Sequence, residues 1–195
     1  MSRTGSGVAA LPQHWHVMRA RTDRVLATTM TAAEITKYLT ELNDELHLMD
    51  IKGEVSLYGG AVMCLAFKAR PATKDVDAIF EPVKEIRNAS HRIAEKHDLA
   101  LDWLNLAVKM FVVDHPRQVL FNLSNLIVTV PDADYLLAMK MLALRPDTED
   151  ENDAEFLIGR LGLKSSQEVL AIVADYYPKK EVKPKTLFWL DEYFA

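Results

Sequence analysis

The chain has 195 residues, 49% apolar and 26% charged, with a formal net charge of −5. That balance is that of a soluble globular protein, excludes a fibrous or disordered one, and is long enough to bury a substantial core in one domain with a helical extension. The negative charge argues against broad, nonspecific adhesion to nucleic acid and leaves a local basic groove open. The single cysteine, Cys64, excludes an internal disulfide framework and suits a reducing compartment, and its neighbours Val62, Met63 and Leu65 predict a buried packing role. No apolar run approaches the roughly 20 residues needed to cross a bilayer, and "MSRTGSGVAALPQHWH" lacks the apolar stretch of a secretory signal, so a cytoplasmic protein with no membrane association is expected.

Residues 1–30 carry Gly, Ser, Pro and scattered arginines without a period and read as an irregular arm; His14 and His16 in "HWH" fall short of a metal site. Thr31 stands three residues before Glu34 as a capping box, and Ile35, Leu39, Leu42 and Leu46 follow at helical spacing. "GEVSLYG" predicts a short strand, "AVMCLAFKA" an apolar helix ended by Pro71, "KDVDAIF" a strand, and 82–96 a second long helix. "LALDWLNLAVKMFVV" and "VLFNLSNLIVTV" predict further strands, the latter ending at Pro131. From Asp132 onward the segments "DADYLLAMKMLALR", "TEDENDAEFLIGRL", "SSQEVLAIVADYY" and "PKTLFWLDEYF" read as helices, with Ser165 and Glu168 as another capping box. Strands first and helices later predict an α+β protein: a core over 31–131 with a small mixed sheet flanked by helices, and a helical region over 132–195 packed on it.

The chemistry concentrates in "LYGGAVMCLAFKARPATKDVDAIF". Gly59 and Gly60 lie between a strand and a helix, where backbone N–H groups can face a phosphate; taken alone, the pair is more simply explained by a tight strand-to-helix turn. Asp75 and Asp77 are one residue apart, so on a strand both carboxylates point to one face and repel each other unless solvent or a hard cation compensates. A solvated edge strand is the alternative.

Strand, Gly-Gly, helix and then D-x-D on the next strand resembles the active-site signature of the DNA polymerase β-like nucleotidyltransferase superfamily. The segment is most similar to the bacterial branch that contains minimal nucleotidyltransferases and AbiEii-type toxins, in which an arginine, a Thr or Ser and the two aspartates follow in order; here these are Arg70, Thr73, Asp75 and Asp77. The likeness covers about residues 54 to 160. It implies the superfamily's small mixed sheet and a metal site for Mg2+ or Mn2+ on Asp75, Asp77 and a third carboxylate from a neighbouring strand, with Asp102 the first candidate and Asp114 the second. It also implies a lysine on the first helix after the sheet, here Lys140, and acidic residues on the next helix, here Asp150 and Asp153.

The resemblance implies transfer of a nucleoside monophosphate from a nucleoside triphosphate to a hydroxyl of tRNA or of a partner protein, within a toxin–antitoxin pair. Asp75, Asp77, Asp102 and Lys140 would carry the chemistry, Gly59, Gly60, Arg70, Thr73 and Lys140 would hold the nucleotide, and Asn105, Arg145, Asp150 and Asp153 would support them. Lys140 is the only charge in an apolar helical run, so it either snorkels to the rim or turns its ammonium into a polar pocket. Asp150 and Asp153 open the next helix, where carboxylates also favour the dipole; Asp150 could face Lys140 or Arg145. Two departures stand out: Ala61 follows the glycines where Thr or Ser is frequent, and "DTEDEND" lacks the basic residue that commonly precedes its aspartate. The competing expectations are a non-catalytic nucleotide- or partner-binding module of the same fold and a Mg2+-dependent phosphohydrolase. "YYPKKEVKPKTLFW" sets four lysines among aromatics, as an RNA contact or a solvated linker.

Overall fold

The computed structural model describes residues 29–145 and 148–195. The expected arm over 1–30, with its two histidines, lies almost wholly outside the described residues. The chain is first described entering through a two-residue strand β1 (Met30–Thr31) into helix α1 (Ala32–Leu48). The capping box forms in full: Glu34 N–H donates to Thr31 Oγ1 at 3.3 Å and Thr31 N–H donates to Glu34 Oε2 at 2.8 Å. The helix buries Ile35, Leu39, Leu42 and Leu46, the face that its periodicity predicts.

Then come β2 (Gly53–Leu57), α2 (Gly59–Leu65), β3 (Ala72–Thr73), β4 (Val76–Glu81) and α3 (Val83–His97). β5 (Leu104–Asn105), a 3-10 turn (Ala107–Met110) and the hairpin β6 (Arg117–Asn122) and β7 (Leu126–Pro131) complete the sheet region. Four helices close the chain: α4 (Ala133–Ala143), α5 (Glu149–Leu161), α6 (Ser166–Tyr176) and α7 (Pro184–Tyr193). The protein is therefore mixed α+β, with a five-stranded sheet in the order β5-β4-β2-β7-β6 and a small sheet in which β1 pairs with β3.

β2 lies at the centre, antiparallel to β4 and parallel to β7, while β5 runs parallel to β4 and β6 antiparallel to β7. Central position explains why Val55, Leu57 and Val128 are fully buried. Apolar residues of α4, α5 and α6, among them Leu136, Leu137, Met141, Leu157 and Val169, join the sheet and α1 in one hydrophobic cluster.

The expected strand across "LALDWLNLAVKMFVV" shrinks to two residues. The cause is local: Ala107 N–H donates to Asn105 Oδ1 at 2.9 Å, a side-chain turn that competes with the ladder and sends the chain into the 3-10 turn. Among the described residues no helix is long and apolar enough to cross a membrane.

Candidate functional site

β2 and β4 bring the two halves of the Gly-Asp segment side by side. Leu57 pairs with Ala78, and Tyr58 N–H donates to Asp77 O at 2.9 Å, so the chain turns into α2 directly beside Asp77. Gly59 takes a left-handed φ of 57°, and a Cβ there would lie 3.0 Å from Asp77 Oδ2. At Gly60 a Cβ would stand 2.4 Å from Thr73 Oγ1 and 3.0 Å from Arg70 Nη1. The two glycines are thus needed for close approach, by Asp77 on one side and by Thr73 and Arg70 on the other. α2 itself has only seven residues, so its dipole is slight.

β3, held by β1 through the Met30 and Thr73 pairing, fixes the loop that carries Arg70 to Asp75. Thr73 Oγ1 donates to Asp75 O at 3.3 Å. Asp75 is exposed just ahead of β4, and Asp77 on the strand is half-buried. Burial first, and then the Asp75 charge, raise the Asp77 carboxyl above its usual range; the Asn105 amide and the Lys140 ammonium pull the other way.

Lys140 does not snorkel. It is 8% exposed on α4, with its ammonium 3.0 Å from Asp150 Oδ1 and 2.5 Å from Asp153 Oδ2. Asp153 is 1% exposed and accepts from Arg70 Nε at 2.7 Å through its other oxygen. Its Oδ2 receives no well-directed hydrogen bond, so the Lys140 contact there is an ion pair of charge on charge. Arg145 Nε donates to Asp150 Oδ2 at 2.9 Å. Burial pushes the Asp150 carboxyl up, but Lys140 and Arg145 outweigh it and hold the group below its usual range. One continuous charge network therefore links the Arg70 loop, α4 and α5, which "helix stabilisation" of Asp150 and Asp153 does not explain.

Of the expected site residues, Gly59, Gly60, Arg70, Thr73, Asp75, Asp77, Asn105, Lys140, Arg145, Asp150 and Asp153 fall into these linked contacts. Asp102 does not join them. It is exposed in the turn before β5, three residues ahead of Asn105, which is the residue paired with Asp77. Asp114 is exposed in the loop leading to β6, the edge strand at the other end of the sheet order from β5. Among the described residues no three Asp, Glu, His or Cys side chains gather as a metal-holding group. Among the described residues the expected carboxylate triad is not gathered: Asp75 and Asp77 stand together with the Asn105 amide beside Asp77. Two carboxylates near enough for the charge of one to act on the other still fit one Mg2+ or Mn2+ whose remaining positions would be filled by water or phosphate.

Sequence reasoning missed a buried aromatic cluster behind the glycine turn. The His115 ring stacks on Tyr135 at 3.7 Å between centroids and lies 3.4 Å from Tyr58 Oη through Nε2. Tyr177 donates to Phe111 O at 2.9 Å, anchoring the loop after the 3-10 turn to α6. Burial pushes the Tyr58 phenol up to about 12 and the His115 imidazole down. Tyr135 sits in a helical apolar run, and nothing in the sequence ties it to His115.

A groove of about 360 Å3 between α6 and α7, lined by Leu170, Val173, Tyr177, Pro178, Val182 and Leu187, shares no residue with the charged cluster. Cys64 is buried on α2, as its neighbours predict. No family model matches the chain, and neither a curated protein nor a solved structure does.

Proposed function

We propose that the protein is a nucleotidyltransferase that moves a nucleoside monophosphate from a nucleoside triphosphate to an acceptor hydroxyl. The observation that carries this reading is the convergence of Gly59 and Gly60 on Asp77, Thr73 and Arg70, joined through Asp153 to the buried Lys140. Carboxylates for a cation, bare backbone for close approach and fixed cations for phosphate are thereby adjacent.

In this reading the acceptor oxygen bonds to the α-phosphorus while the bond to the β-bridging oxygen breaks, pyrophosphate leaves with that electron pair, and the hydroxyl proton passes to solvent. A divalent cation on Asp75 and Asp77 would supply charge neutralisation at the triphosphate and favour ionisation of the attacking hydroxyl. Arg70 and Lys140 hold phosphate oxygens from positions set by Asp153, and Thr73 shapes the loop over Gly60. Because these groups are preorganised by ion pairs, most of the rate gain is positioning and electrostatics. The acceptor is a hydroxyl of RNA or of a protein, and the resemblance favours the 3′ end of tRNA or a partner in a toxin–antitoxin pair.

Incubation with α- or γ-phosphate-labelled nucleoside triphosphates, Mg2+, total tRNA and cell protein separates the readings. Transfer places the α label, and never the γ label, in one macromolecular fraction. A phosphohydrolase releases label as small anions only, and a binding module retains intact triphosphate.

A further inference from the structure

Asn105 stands on β5 beside Asp77, the position a ligand from the neighbouring strand would take. The parallel register sets it opposite Asp77, and matching positions in neighbouring strands share a sheet face. Its oxygen is turned toward the backbone of the following turn: Ala107 N–H donates to Asn105 Oδ1 at 2.9 Å. An N–H donor can meet only the oxygen of an amide, so the orientation of the Asn105 side chain is fixed and the Nδ2 donor is the atom left for Asp77. A donor cannot ligate a divalent cation. With the Oδ1 end turned to the Ala107 N–H and the amide acting as a donor to Asp77, the strand next to the carboxylate pair adds no carboxylate ligand, and among the described residues no other acidic, histidine or cysteine side chain completes a group of three.

Positive charge is supplied instead by side chains. Arg70, Lys140 and Arg145 pair with Asp153 and Asp150, so this ion-pair cluster itself carries one more positive than negative charge, and its Lys140 ammonium acts on Asp77 through space. We propose that Asn105 limits the centre to one divalent cation, and that the charge a second cation would neutralise on a bound triphosphate falls to the Lys140 cluster. The inference rests on the nucleotide-transfer reading above and specifies the metal stoichiometry of that site.

Counting bound Mn2+ by electron paramagnetic resonance, with each α,β-methylene nucleoside triphosphate in turn and with the ion held by nucleotide alone subtracted, tests it without turnover. The wild-type ternary complex is expected to hold one Mn2+ per chain, and Asn105→Asp, which replaces the amide by a carboxylate, is expected to raise the count to two. Two ions in the wild type overturn the inference and leave the proposed function standing. An unchanged count of one in a folded Asn105→Asp variant overturns the assignment to Asn105. No Mn2+ and no nucleotide bound by the wild type overturns the proposed function itself.

Discussion

Asp77 is held in an unfavourable state by its surroundings. Burial and the Asp75 charge raise its pKa in the folded chain above the unfolded value, so folding disfavours the ionised form. Stability therefore rises as pH falls through the folded pKa of Asp77, and the gain is complete below the ordinary aspartate value of 3.8. Asp150, held below 3.8 in the folded chain, acts oppositely: its stabilisation is present above that value and is lost as pH falls through its folded pKa. Asp77→Asn should raise the melting temperature at pH 7, and its advantage over the wild type should shrink as pH is lowered toward 4. Parallel melting profiles across that range would contradict this account of Asp77. Gly60→Ala tests the close approach from the other side. Its Cβ would meet Thr73 Oγ1 at 2.4 Å and Thr73 Cβ at 3.1 Å, and overpacking of this kind costs about 1–3 kcal/mol. Urea denaturation is expected to show that loss, together with weakened triphosphate binding because Arg70 and Thr73 must move.

At the scale of elements, the Asp153 carboxylate ties α5 to α4 through Lys140 and to the β3 loop through Arg70. Removing it leaves the buried Lys140 with Asp150 alone and the half-buried Arg70 without its carboxylate, a change that costs about 3–5 kcal/mol in buried settings. Asp153→Ala is expected to lose that much in urea denaturation, and a loss below about 1 kcal/mol would show that the network does not hold the helices to the sheet. The capping box makes a smaller, separable contribution: Thr31→Ala should cost about 1 kcal/mol. Elements of this kind were legible in the sequence because their signals are local. Thr31 and Glu34, the glycine pair, Pro131 and the helical stripes of α4 to α6 each announce a start, a stop or a buried face within a few residues. β5 was not legible, because an apolar run of that composition reads as strand and only the Asn105 side chain, by taking the Ala107 N–H, turns it into a 3-10 segment.

Across the whole molecule, the mixed sheet and its helical second half follow from the order of the signals, but the site depends on which distant residues meet. The D-x-D pair and the glycines lie on sequential elements and could be related by strand parity alone. The pairing of Asp77 with Asn105 rather than with Asp102 depends on strand register across the α3 crossover, which no short motif encodes. The meeting of His115 with Tyr58 and Tyr135 likewise joins three separate elements. Lys140 was recognisable as an odd charge in an apolar helix, whereas its two partners emerge only when α4 and α5 pack together. These long-range meetings make one chemical proposal, nucleotide transfer at Asp75 and Asp77, and its central claim is that this carboxylate pair moves the α-phosphorus. The direct measurement is incorporation of α-phosphate label into RNA or protein by the wild type and by Asp77→Asn under identical Mg2+ and triphosphate concentrations. The account predicts stable labelling of one acceptor class by the wild type and a loss on the order of 100- to 1,000-fold in the folded variant; equal labelling by the two proteins, or none by the wild type with either acceptor, would contradict it.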